Sequence, residues 1–174
     1  MRTVVLYAVL ILALTGCSST QPESPGSRYP GTQDGARQLV TDLRTGDPLP
    51  LIKTLVPTAE DCRAVFEGEL AAKAEAYYGK QFATPETGPI AKPDQTELEL
   101  WAASSEDLKA KAGNFVHFPG GYAKIAPFLK PGLTFYRWKY VVPGSDLGMA
   151  YDGLVYLGSR WVWLPKPWRP AESA

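Results

Sequence analysis

All five tryptophans of this chain lie after residue 100, and the run from Leu133 to Val142 is rich in aromatic and β-branched side chains. Such residues fit a pleated, half-buried surface better than a helix. In an extended strand, Tyr136, Trp138 and Tyr140 share one face, while Phe135, Arg137 and Lys139 share the other. Pro143-Gly144-Ser145-Asp146 then makes a turn. Met149 to Leu157 reads as a second strand, Gly158-Ser159 as a tight turn, and Trp161 to Leu164 as a third strand. Asp152-Gly153 interrupts the middle strand. A turn there would leave strands of only about five residues, so a β-bulge is expected instead. Pro165, Pro167 and Pro170 stop the sheet. The C-terminal third is therefore antiparallel sheet, and any helices must pack against it.

Those helices come first in the chain. Leu39, Val40 and Leu43 repeat at helical spacing and Gly46 closes the segment. Pro48 to Val56 is a second short apolar stretch, closed by Pro57. Thr58 with Asp61 forms a carboxylate variant of the capping box. After it, Cys62, Val65, Phe66, Leu70, Ala74, Tyr77 and Tyr78 make one stripe, which predicts a single helix over about 59–80. Residues 83–95 contain three prolines and read as a loop. Thr96 to Leu100 alternates as a strand, Phe115 to Phe118 as a brief one, and Tyr122 to Lys130 has helical period interrupted by Pro127. Helices followed by a meander of about four strands make an α+β domain over 36–170. This element order resembles the NTF2-like and cystatin-like cone folds, in which a curved sheet wraps a long helix. Leu147 to Arg169 is also similar to a block in uncharacterised bacterial lipoproteins.

The N-terminus places the protein. Arg2 precedes an unbroken apolar run, Val4 to Leu14, which at eleven residues is too short to span a bilayer but suits a signal peptide. The run ends in Leu14-Thr15-Gly16-Cys17, which resembles the lipobox of bacterial lipoproteins: a branched apolar residue, two small residues and a cysteine. The resemblance implies removal of residues 1–16, then a diacylglycerol thioether and an N-acyl chain such as palmitate on Cys17. Two or more acyl chains hold a protein on a membrane effectively permanently. Serine rather than aspartate follows the cysteine, which in a Gram-negative host points to the outer membrane, facing the periplasm. Residues 17–35 then read as the lipidated cysteine and a Ser/Pro/Gly-rich tether spanning roughly 20–25 Å. Cys62 is left without a cysteine partner, and its place on the apolar stripe predicts a buried thiol.

Few groups on the chain suggest chemistry. Eighteen basic and eighteen acidic residues cancel, which removes the electrostatic case for nucleic-acid binding. Two cysteines and one histidine are too few for a structural zinc site, so neither metal nor cofactor is expected. No phosphate loop, nucleophile elbow or metalloprotease helix occurs. His117 is the only histidine, and Asp152, Tyr151 and Tyr122 are its candidate partners for acid–base work. The cone resemblance would make His117 and Asp152 the catalytic groups of an NTF2-like enzyme. Tyr136, Trp138, Tyr140, Trp161 and Trp163 instead read as sheet core, or as the wall of a cleft for a small apolar or sugar-like ligand. Charge is uneven: residues 17–108 hold eight basic and fifteen acidic side chains, and residues 109–174 nine and three. Either the two halves attract each other, or Arg137, Lys139, Lys166 and Arg169 form a basic patch for anionic lipid or an acidic partner. The expectation is a lipid-anchored envelope protein with a binding module, its ligand a small molecule or an envelope protein.

Overall fold

A computed structural model describes residues 28–83 and 88–173. The leader, Cys17 and the tether up to residue 27 lie outside the described residues. The first helices follow their caps. Thr32 accepts the Gly35 N–H at the start of α1 (Gln33–Thr45), and Asp47 accepts the Leu49 N–H at the start of α2 (Pro48–Leu55). Thr58 and Asp61 form the full capping box of α3 (Ala59–Val65). The folded unit starts earlier than Ala36. Tyr29 is buried and its carbonyl accepts the Trp161 indole N–H at 2.9 Å. Gly31 passes so close to the Tyr156 ring that a Cβ there would meet it at 2.2 Å.

The predicted helix over 59–80 is two helices, α3 and α4 (Glu69–Gln81). Phe66 is extended and bridges Leu129, the Glu67 N–H donates to Phe128 O, and the Lys130 N–H donates to Val65 O. Gly68 then takes φ +59°, where glycine has no steric cost. The stripe survives because both helices bury it: Cys62, Val65, Phe66, Leu70, Ala74 and Tyr78 all enter one core. Periodicity could not reveal the break, since the apolar positions keep helical spacing across it.

Four strands follow: β1 (Glu97–Ser104), β2 (Thr134–Val141), β3 (Gly148–Tyr156) and β4 (Trp161–Trp163), paired antiparallel in that order. β1 runs past the predicted Leu100 until Ser104 becomes the cap of α5 (Ser105–Ala110). Phe115 to Phe118 is no strand. Gly113 takes φ +55°, and Gly113–His117 winds into a 3₁₀ turn with local backbone hydrogen bonds. α6 (Gly121–Ile125) leads towards β2, and α7 (Arg169–Glu172) closes the described chain. The bulge falls where expected. Tyr136 pairs with Leu154 and Arg137 with Asp152, so Gly153 is the extra residue. Its φ is +85°, and a Cβ there would lie 1.9 Å from the Leu164 carbonyl oxygen.

This is an α+β arrangement with helices on both faces of the sheet. Phe135, Val155 and Val162 face α3 to α6, while Tyr136, Trp138, Tyr140, Leu154, Trp161 and Trp163 face α1, α2 and Tyr29. The aromatic face is thus covered by the first two helices, not by the stripe over 59–80. Two separate cores share one sheet, and burial of large apolar side chains on both sides is the main stabilising term.

Candidate functional site

The bulge organises the most informative region. Having no partner residue in the ladder, Gly153 accepts from the Leu164 N–H, and the Asp152 carbonyl accepts from the Trp163 indole at 3.0 Å. The Asp152 carboxylate accepts the Lys166 N–H at 3.0 Å and receives the Tyr122 hydroxyl at 3.5 Å. Tyr78 donates to the Pro165 carbonyl at 3.3 Å. The turn after β4 is thereby pinned to β3, with Lys166 held in the left-handed region at φ +51°. Burial pushes the Asp152 carboxyl up to about 6, only partly offset by the Lys166 N–H and by the Arg137 and Lys166 charges. Burial likewise raises the Tyr78 and Tyr122 phenols well above their ordinary value, with the nearby Asp152 charge adding to it. Asp152 is therefore a framework group inside the protein.

An open groove of about 590 Å³ lies over this framework. Tyr77 and Gln81 come from α4, Tyr151 and Trp163 from β3 and β4, and Lys166 and Arg169 from the pinned C-terminal segment. The Tyr77 and Tyr151 rings are half-buried and Trp163 is 6% exposed, so the tyrosines offer ring surface while the tryptophan forms floor. Tyr151 is fixed at its far end, where its hydroxyl accepts from the Ile90 N–H and donates to the Ile90 carbonyl, both at 2.8 Å. The Lys166 ammonium makes no ion pair among the described residues, and Arg169 meets only Glu172, at 3.4 Å on the surface. Glu172 also lines the groove and shares Arg169, so the aromatic planes meet one unpaired cation, Lys166, and one partly neutralised one, a set that suits a ring-bearing anion.

A second cleft, about 630 Å³ between α1, α2 and the β3–β4 turn, has its charges engaged internally. Asp42 accepts from Arg28 and from the Tyr29 hydroxyl, whose pKa burial pushes up to about 12. Arg160 binds the Asp61 carboxylate and the carbonyls of Thr54 and Val56.

The five aromatic residues singled out by sequence do not form a common cleft. Trp138 and Tyr140 are fully buried and Tyr136 and Trp161 nearly so; only Trp163 borders the groove. The Tyr140 hydroxyl donates to the Val40 carbonyl at 2.5 Å, while the Trp138 Nε1–H has no hydrogen-bond partner among the described residues. His117 and Asp152 are not brought together. His117 is exposed and stacks on Trp101, with centroids 4.7 Å apart and planes at 17°. Trp101 pairs with Arg137 and Arg137 with Asp152, so two strand spacings, about 10 Å, separate that stack from the carboxylate. Arg137 instead lies over Trp101 at 5.2 Å. The basic patch divides as well: Lys139 reaches Glu99 at 3.9 Å and the Asp146 carbonyl, and only Lys166 and Arg169 border the groove.

Tyr77 and Gln81 were not foreseen as site residues. With α4 starting at Glu69, residues 70, 74 and 78 line the core, and the adjacent line 77, 81 falls on the groove. Cys62 is buried as expected, its thiol pushed up to about 11 chiefly by burial. Among the described residues no group of three His, Cys, Asp or Glu is placed to hold a metal ion, and no helix is long and apolar enough to cross a membrane. No protein-family model, curated protein or solved structure matches the chain.

Proposed function

We propose that this protein is a lipid-anchored component of the bacterial cell envelope whose domain binds a small, negatively charged, sugar-like ligand. The leader and the lipobox-like Leu14-Thr15-Gly16-Cys17 support the anchor. The convergence of Tyr77 and Tyr151 with Lys166 and Arg169 around one groove carries the binding assignment. Half-exposed aromatic rings stack on the apolar faces of sugar rings, and the cations take a carboxylate or sulfate. The frame is rigid before any ligand arrives, because the bulge, the Asp152 carboxylate and the Tyr78–Pro165 bond fix the surrounding backbone, which lowers the ordering cost of binding.

Isothermal titration with trigalacturonate and with an uncharged trisaccharide of similar size tests the groove. The acidic sugar is expected to bind and the neutral one to bind much more weakly. Exposed charge contacts contribute up to about 1 kcal/mol each. Replacing both cations (Lys166→Ala with Arg169→Ala) should therefore weaken binding about tenfold. Equal affinity for both sugars, or no loss in the double variant, overturns the assignment.

A further inference from the structure

The two edges of the sheet are finished differently. β4 has three residues and is followed closely by Pro165, whereas β1 has eight and, among the described residues, pairs with β2 alone. The Asn114 amide donates to the Ala102 carbonyl at 2.8 Å, and the Ser104 N–H donates to Asp107 at 3.2 Å. Both groups point away from β2, so the even-numbered residues of β1 present their backbone outward. The 3₁₀ turn and the α5 cap therefore cover the Ala102–Ser104 end. At the other end, nothing among the described residues bonds the outward N–H and C=O groups of Leu98 and Leu100. Four backbone groups at two-residue spacing are what an added strand pairs with.

The side chains define the occupant. Leu98 and Leu100 lie half-buried on the face packed against α1 and α2. Glu97 and Glu99 lie on the opposite face, beside Asp146 in the β2–β3 turn; Lys139 stands across from Glu99 at 3.9 Å, which leaves the cluster of three carboxylates with a negative excess. A second copy of β1 fits badly. Antiparallel pairing centred on Leu98 sets Glu97 against Glu99, and pairing Leu98 with Leu100 sets Glu99 against Glu99. Centring on Leu100 drives the copy onto Ala102, whose carbonyl Asn114 already occupies.

We propose that the outer edge of β1 is a strand-addition site for a basic, extended segment of a partner protein. Its apolar side chains lie over Leu98 and Leu100, and its lysines or arginines lie beside Glu97 and Glu99. The probes are capped synthetic peptides of alternating valine and lysine, or valine and glutamate, titrated by fluorescence anisotropy against the full chain in detergent. Two cross-strand charge pairs changing from attractive to repulsive should separate the two peptides by about tenfold. Leu98→Pro removes an outward N–H without touching the β1–β2 ladder, and it should cost the valine–lysine peptide about tenfold. Glu97→Lys with Glu99→Lys, which leaves the backbone alone, should reverse the peptide preference. Circular dichroism confirms that the variants are folded. Equal binding of both peptides overturns the proposal, as does undiminished binding by folded Leu98→Pro. A sedimenting dimer that Leu98→Pro dissociates overturns it too, because the occupant would then be a second copy.

Discussion

Asp152 gives this domain an unusual dependence on pH. Its carboxyl is raised from an ordinary 3.8 to about 6, with burial as the largest cause. At 1.36 kcal/mol per unit, that difference amounts to about 3 kcal/mol between the two protonation states. The folded protein holds the proton up to about pH 6, and the unfolded chain only to about pH 4. Unfolding therefore releases a proton between those values, and stability falls as pH rises through that window. About 2 kcal/mol of the effect lies between pH 4.5 and 7.5, and the lowered carboxyls of Glu106 and Glu172, ordinarily at 4.5, act with the opposite sign only at the acid end of that range. Asp152→Asn keeps its Oδ1 as the acceptor of both the Lys166 N–H and the Tyr122 hydroxyl. The variant should be about 2 kcal/mol more stable at pH 7.5 and lose most of the slope. Urea unfolding of both proteins across pH 4.5–7.5 reads this directly. A wild-type stability that rises with pH in this range, or a variant that keeps the slope, would refute the reasoning.

Other perturbations separate core from site. Trp138→Ala should cost about 3–5 kcal/mol in urea unfolding. Trp138→Phe should cost far less, because it also removes an N–H buried without a partner. Gly153→Ala forces a Cβ into the Leu164 carbonyl at φ +85° and should cost about 3 kcal/mol or more, whereas Gly68→Ala, at φ +59° and ψ −143° with open space around it, pays backbone strain alone, about 1–3 kcal/mol. Cys17→Ser should move the protein from the membrane fraction to the soluble one on cell fractionation, since the acyl chains supply the anchoring.

Much of the fold was legible because local chemistry and tertiary demand agree. The strand alternation from Phe135 to Tyr140 put each side chain on its observed face, and Asp152-Gly153 marked the bulge. The helix break at Phe66–Gly68 was illegible because its cause is distant: Leu129 and Lys130, some sixty residues away, bond the backbone that an unbroken helix would have used. Tyr29 was read as tether because a single ring in a Ser/Pro/Gly stretch carries no periodicity, yet Trp161 and Asp42 fix it. The site was legible in its members more than in its grouping. Trp163, Tyr151, Lys166 and Arg169 were all singled out, but their convergence with Tyr77 depends on the start of α4 and the turn pinned by Asp152. His117 and Asp152 looked like a pair only while the ladder that separates them was unknown.

The tryptophans are spread through the fold in a way that permits one decisive measurement. Trp163 borders the groove, Trp138 and Trp161 lie in the core between sheet and first helices, and Trp101 carries the His117 stack. A ¹⁵N-labelled sample titrated with trigalacturonate should shift the Trp163 indole resonance in a saturable way and leave those of Trp138, Trp161 and Trp101 in place. Saturable shifts centred on Trp101, or no shift at Trp163 at millimolar sugar, would contradict the assignment of this groove as the binding site.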